Sequence, residues 1–271
     1  MRISLQLALI LACCAFCAPA QPPSRPPTLY AQSIQTALSA HSANLELLVL
    51  DLRTGDTLAN TFAQPDRPIP VGSLTKPFLA LAYLRAHPGA APTLTCRGHP
   101  DRCWKPLGHG ALALPQALAQ SCNAYFLALA ARLSANVPIP DLPPPPNASS
   151  TTLIGLTPGW LISPNALAHA YASLFADPTL PLDILTGLRA AAASGTASRI
   201  GLHPGGVLAK TGTAPCIDVA CKASGDGLVL AAIPAAHPTL LLLVRRRATT
   251  GAMAAAAASP ILTLLQALTH P

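Results

Sequence analysis

Runs of apolar, strand-forming residues stand near both ends of this chain, and the long stretch between them reads as helix and proline-punctuated loop. Leu45 to Asp51 is an apolar strand, Arg53-Thr54-Gly55-Asp56 a turn, and Thr57 to Phe62 the return strand of a hairpin. Far downstream, Val207 to Ala214, Leu228 to Ile233 and Thr239 to Val244 read as strands again. The periodicity predicts helices over Tyr30–Ser42, Thr75–Ala86, Leu114–Leu133 and Ser163–Phe175, the last with Pro164 in its first turn. Ser134 to Thr157 is a Pro/Ser/Asn-rich linker. A final helix, Ala252–Leu268, is expected to break near Pro260. Strands at both ends with a helical insert between them is the organisation this pattern implies.

The 271 residues allow one or two domains with a sizeable core. Charged residues make up 10% of the chain, against about a quarter in ordinary domains. The net charge of +7 comes without a basic stripe interleaved with aromatics, so nucleic-acid binding is not indicated. Arg245-Arg246-Arg247 reads as a solvated strand end.

Arg2, the apolar run Ile3 to Phe16 and Ala18-Pro19-Ala20 form a positive, apolar and small-x-small series. Residues 1–20 therefore read as a signal peptide cleaved before Gln21, followed by a Pro-rich leader over 21–28. The protein is expected to be exported, to the periplasm or the exterior. Ile10-Leu11-Ala12-Cys13 offers a lipoprotein alternative. Cys96, Cys103, Cys122, Cys216 and Cys221 remain after such cleavage. In an oxidising compartment, the close pairs Cys96/Cys103 and Cys216/Cys221 read as two disulfides, with Cys122 left over.

Three short motifs carry the chemistry. Ser73-Leu74-Thr75-Lys76 opens a helix and puts Ser and Lys on one face, one turn apart. A desolvated lysine loses its proton readily and can take one from a serine hydroxyl. Ser121-Cys122-Asn123 lies in the helical insert, and Lys210-Thr211-Gly212-Thr213 lies on a strand. Each is weak alone. Ser-x-x-Lys, Ser-x-Asn and Lys-Thr-Gly in this order form the signature of penicillin-binding proteins and serine β-lactamases.

The likeness extends past the triplets. Tyr125-Phe126 follows the second motif as in class B transpeptidases, and Cys103-Trp104-Lys105 with Gly108-His109-Gly110 is similar to the segment before it in elongation-type members. Leu161 to Tyr171, Ser194-Gly195-Thr196-Ala197 and the hairpin Leu47 to Leu58 resemble further elements of that group. The chain thus resembles the penicillin-binding transpeptidase domain over about 44–246. The resemblance implies an α/β fold: a five-stranded antiparallel sheet flanked by helices, with an inserted all-helical subdomain over about 77–195, in one catalytic domain spanning 29–271.

It also implies roles. Ser73 is the acylated nucleophile and Lys76 its base; Ser121 and Asn123 relay protons and hold the substrate amide. Lys210 faces the substrate carboxylate, which Thr211 and Thr213 bind beside Gly212. The backbone N–H groups of Ser73 and Thr213 form an oxyanion hole. Peptidoglycan stem peptides and β-lactam antibiotics are the implied partners, with cell-envelope proteins possible and no cofactor. The alternatives are a D,D-carboxypeptidase, a β-lactamase-like hydrolase, or a catalytically idle penicillin sensor or scaffold. Class A β-lactamases need a deacylating Glu, and the single glutamate is Glu46, ahead of Ser73. Ser121-Cys122-Asn123 departs from the Tyr-x-Asn and Ser-x-Val of classes C and D. Some elongation-type members hold zinc near the segment that Cys96 to His109 resembles. Here Cys96, Cys103 and His109 are three donors where a structural zinc wants four. Cys122 looks a poor fourth from inside a catalytic motif, and the disulfide reading of Cys96 and Cys103 is preferred.

Overall fold

The computed structural model describes residues 28–40, 43–133, 138–215 and 225–269, and in it the strands from the two ends of the chain meet in one sheet. The proposed leader, its lipoprotein alternative, and Cys216 and Cys221 lie outside the described residues. Helix α1 (Leu29–Ser39) precedes β1 (Glu46–Asp51), β2 (Thr57–Asn60) and β3 (Ile69–Pro70). A 3-10 turn, Gly72–Thr75, leads into α2 (Lys76–Ala86). The middle contains β4 (Leu94–Cys96), β5 (Gly110–Leu112), α3 (Leu114–Ala119), α4 (Asn123–Ala130), α5 (Ser150–Leu153), β6 (Leu161–Ile162), α6 (Pro164–Ala176) and α7 (Leu182–Ala193). Then come β7 (Leu208–Ala214), β8 (Asp226–Ile233), β9 (Leu240–Arg246) and α8 (Gly251–Thr269).

The sheet is five-stranded and antiparallel, in the order β2-β1-β9-β8-β7. Both of its faces are covered, which is why its strands read as nearly unbroken apolar runs. Successive side chains point to opposite faces. Leu48, Leu50, Leu230 and Leu243 pack toward the inserted helices, and Leu47, Val49, Val229 and Leu242 toward α1 and α8. The α/β architecture expected from the sequence is present, and the insert is mainly helical but not all-helical, since β4 pairs with β5 within it and β6 pairs with β3.

Several features differ from the sequence reading, among them α7 and, inside the expected linker, the short α5, neither of which was expected as a helix. Helix α8 runs unbroken through Pro260. That residue sits on the exposed side, while Ala254, Ala258, Ile261, Leu262 and Leu265 face the sheet at helical spacing. The single helix expected over Leu114–Leu133 is split into α3 and α4, because Ser121 adopts the left-handed conformation at φ 49°. Arg245 is not solvated: it is 7% exposed, paired with Asp226 and with Glu46. One partner comes from the neighbouring strand β8 and the other from β1, 199 residues away in sequence.

Helix α2 is buried all round from Lys76 to Tyr83, as befits a core helix. The 3-10 turn before it is tied to α6 by the Tyr171 hydroxyl, which donates to the Leu74 carbonyl at 2.7 Å in a buried contact. Tyr171→Phe leaves that carbonyl unsatisfied. The expected loss is about 1–3 kcal/mol of unfolding free energy, read from urea denaturation. Unchanged stability would show that the bond contributes nothing.

Candidate active site and candidate metal centre

Backbone meets backbone around Ser73. A Cβ at Gly212 of β7 would lie 2.6 Å from the Val71 carbonyl oxygen, and one at Gly155 would lie 2.1 Å from that of Gly72. Gly72 itself has φ +57°, where a side chain is disfavoured, and a Cβ there would lie 2.8 Å from the Thr213 carbonyl oxygen. The glycine of Lys-Thr-Gly therefore lets the edge strand β7 lie directly on the turn that carries Ser73, which is half-buried.

Lys76, one turn on from Ser73, is wholly buried. Its Nζ lies 2.8 Å from the Ser121 carbonyl oxygen, 3.2 Å from Ser121 Oγ and 2.7 Å from Asn123 Oδ1. The Phe126 ring lies over it, 5.5 Å away at the centroid. Lys210, also wholly buried, reaches the same hydroxyl: its Nζ lies 2.8 Å from Ser121 Oγ and 2.8 Å from the Thr211 carbonyl oxygen. The left-handed backbone of Ser121 turns its hydroxyl and its carbonyl toward the two amines at once. Four of the residues singled out from the three motifs, Lys76, Ser121, Asn123 and Lys210, thus meet in one hydrogen-bonded group, and Ser73 stands one turn before Lys76 with its backbone against β7.

No ion pair joins a carboxylate to either amine among the described residues. Burial therefore dominates, and it lowers Lys76 to about 7, against an opposing pull from the Cys122 and Cys103 thiols. Burial and the neighbouring Lys76 charge push Lys210 well below the ordinary lysine range. One hydroxyl has one proton to give. With Lys210 donating to Ser121 Oγ, that oxygen can donate to Lys76 only if Lys76 is the neutral amine. A neutral Lys76 has two N–H groups, which match the Ser121 carbonyl and Asn123 Oδ1.

The strand residues beyond Lys210 are held from outside the sheet. Thr211 Oγ1 donates to Thr196 Oγ1 at 2.6 Å, and the Thr196 N–H donates to the Ala119 carbonyl at 3.0 Å. A Cβ at Gly195 would lie 2.2 Å from that same carbonyl oxygen. Thr196 was legible in the sequence only as part of Ser194-Gly195-Thr196-Ala197, with no role attached. Thr213 is exposed, and its Oγ1 accepts from the Gly251 N–H at 3.0 Å.

The expected Cys96–Cys103 disulfide is not formed: Cys96, Cys103 and Cys122 are free and buried. The split between α3 and α4 carries Cys122 up to the other two, so the residue discounted in the sequence reading completes a cluster. Ligand atoms of Cys96, Cys103, His109 and Cys122 all lie within 4.8 Å of one another. Cys103 and Cys122 Sγ are 3.9 Å apart, and His109 Nδ1 is 3.5 Å from Cys103 Sγ and 3.6 Å from Cys96 Sγ. A tetrahedral zinc with Zn–S about 2.3 Å and Zn–N about 2.0–2.1 Å sets edges near 3.8 Å and 3.5 Å. The residues fit. His109 Nε2 is buried without a partner, and burial holds the ring below its usual pKa, in the neutral form that a metal ligand needs. Four protein donors would make the site structural, tying β4, the loop after it and the start of α4 together, with no open position for chemistry. One zinc per purified chain is expected by elemental analysis. Its removal with a strong chelator should lower the melting temperature, and metal-free protein of unchanged stability would refute the assignment.

No protein-family model matches the sequence, and no curated protein matches it significantly. Solved structures do match in fold. Penicillin-binding protein 2 of Pseudomonas aeruginosa, in complex with WCK 5153, aligns with TM-score 0.70 and 17% identity over 90% of this chain and 74% of its own. The transpeptidase domain of Burkholderia pseudomallei penicillin-binding protein 3 aligns with TM-score 0.67 and 19% identity, over 89% and 94%. Penicillin-binding protein 2 of Helicobacter pylori, solved with MreC, aligns with TM-score 0.72 and 15% identity, over 89% and 63%. The chain has the fold of the penicillin-binding-protein transpeptidase domain.

Proposed function

We propose that the protein is an exported, penicillin-binding serine D,D-peptidase or transpeptidase that acts on peptidoglycan stem peptides through an acyl-enzyme on Ser73. The observation that carries this reading is the pair of buried lysines on the Ser121 hydroxyl, beside Asn123 and against the turn of Ser73. Lys76 with a pKa of about 7 is poised to exchange a proton near neutrality.

In the reaction, the Ser73 oxygen bonds to the carbonyl carbon of the scissile amide, and its proton passes to Lys76. Charge that develops on the carbonyl oxygen is met by the backbone N–H groups of Ser73 and Thr213. The C–N bond then breaks, and the proton returns through Lys76 and Ser121 to the leaving nitrogen. In a β-lactam that nitrogen stays tethered to the acyl group. An incoming amine, or water, later takes the acyl group from Ser73. Thr213 binds the substrate carboxylate beside Lys210, while Thr211, whose hydroxyl proton goes to Thr196, steadies the strand that carries them. Zinc at the cysteine–histidine cluster would brace the segment bearing Ser121 and Asn123.

Glu46 is engaged with Arg245 and Arg247, and it is the only glutamate. Nothing in that arrangement activates a deacylating water, which favours a long-lived penicilloyl adduct over β-lactamase turnover. Whether an amine or water is the natural acceptor separates the transpeptidase from the carboxypeptidase.

Benzylpenicillin should add one drug mass to a peptide containing Ser73, by mass spectrometry, and nitrocefin turnover should be negligible. Labelling at Ser121, or no adduct, would overturn the reading; fast nitrocefin hydrolysis would move the protein to the β-lactamases. Lys76→Arg keeps the charge but cannot deprotonate, so it should abolish acylation with the fold intact by circular dichroism. Burial favours the neutral lysine, so the wild-type acylation rate should rise as pH climbs through about 7 and level off above. A flat profile argues against Lys76 as base.

A further inference from the structure

We propose that Asp226 is a positioning residue for Thr213, acting through the turn that joins β9 to α8. The inference rests on the reading of Thr213 as a substrate carboxylate ligand and adds to it the device that aims the hydroxyl.

Asp226 heads β8, opposite Ala214, one residue past Thr213 in the paired strand. It is buried, and its two oxygens do different things. Oδ2 accepts from Arg245, through Nε at 2.9 Å and through a terminal nitrogen. Oδ1 accepts from the Ala248 N–H at 3.0 Å. Ala248 has φ 54°, a left-handed conformation that an alanine adopts only at a cost, so the carboxylate holds a strained turn in place. The turn is fastened again one residue on, where the Thr249 N–H donates to the Gly225 carbonyl at 2.9 Å.

What the turn delivers is the first residue of α8. Gly251 packs against β7 so closely that a Cβ there would lie 2.6 Å from the Gly212 carbonyl oxygen and 2.9 Å from Thr211 Cβ. From that position its N–H donates to Thr213 Oγ1 at 3.0 Å. A hydroxyl oxygen that accepts in this way keeps its own proton for another partner. Thr213 is exposed, so that proton is free to point at an incoming carboxylate. The path therefore runs from the Asp226 carboxylate to the Ala248 amide, through the turn to the Gly251 amide, and from there to the Thr213 hydroxyl.

A double-mutant cycle on benzylpenicillin acylation tests the coupling. Asp226→Ala should lower the second-order acylation rate about tenfold, mainly through weaker initial binding. In a Thr213→Val background the same change should have little further effect. Glu46→Ala removes the other partner of Arg245 without touching the turn, and should leave acylation unchanged even if the melting temperature falls. Equal losses in both backgrounds, equal losses from Glu46→Ala, or wild-type acylation by Asp226→Ala would overturn the inference. Asp226→Leu, of similar size and without an acceptor oxygen, serves if the alanine variant does not fold. Hydrogen exchange at the Gly251 amide reads the same coupling with no substrate present: it should quicken in Asp226→Leu, which has no acceptor for the Ala248 N–H, and an unchanged rate would overturn the inference. A wild-type protein that takes no penicillin while this exchange effect holds would refute the acyl-enzyme reading and leave the positioning intact.

Discussion

Two lysine amines buried around one serine hydroxyl set the terms for the rest of this structure. Burying an unpaired cation costs several kcal/mol, and a lysine in that position gives up its proton instead. Among the described residues no carboxylate pairs with either amine, so burial sets the proton count at the site and hydrogen bonds hold the amines in place. Ser121, Asn123 and the Thr211 carbonyl supply those bonds. They must be held rigidly, because a small displacement would leave a buried amine without an acceptor. The strained backbone of Ser121 is the local cost, on the order of 1–3 kcal/mol for such a conformation.

Rigidity comes from two directions. On the side of Ser73 it comes from glycines: Gly72, Gly155 and Gly212 let three stretches of backbone touch with no side chain between them. On the side of Ser121 it would come from zinc held at the cysteine–histidine cluster, where Cys122 sits between the two polar residues that contact the lysines. The free thiols and the missing disulfide at Cys96 and Cys103 thus belong to the same design problem as the lysines.

How far the sequence could be read follows from what each feature depends on. The strands of the main sheet were legible because both sheet faces are buried, so apolar runs sit there almost without interruption. The motif residues were legible because their order along the chain is itself a pattern. The break at Ser121 was not, since a left-handed serine leaves no mark in hydrophobic period, and without that break Cys122 has no reason to turn toward Cys96 and Cys103. Helix α7 went unread within an Ala-rich middle, and Pro260 continues a helix because it falls on the exposed side. Arg245 resembled a solvent residue because Glu46 lies at the opposite end of the sequence. Each miss is a matter of where side chains point once the chain has folded.

The pairing of β1 with β9 also sets the order in which this molecule can be built. Leu48 lies opposite Leu243, so the central strand pair closes a loop of nearly 200 residues. By the usual logarithmic dependence, closing such a loop costs about 4–5 kcal/mol of chain entropy before any contact repays it. The first hairpin cannot finish its sheet until almost the whole chain is present, while the inserted helices can pack on one another, α2 on α4 and α3 on α7, before the last strands arrive. High contact order of this kind makes folding slow and leaves apolar strand edges open in the meantime. A chain that emerges from a ribosome or a translocation pore N-terminus first therefore spends most of its emergence with β1 and β2 waiting for the strands that complete them.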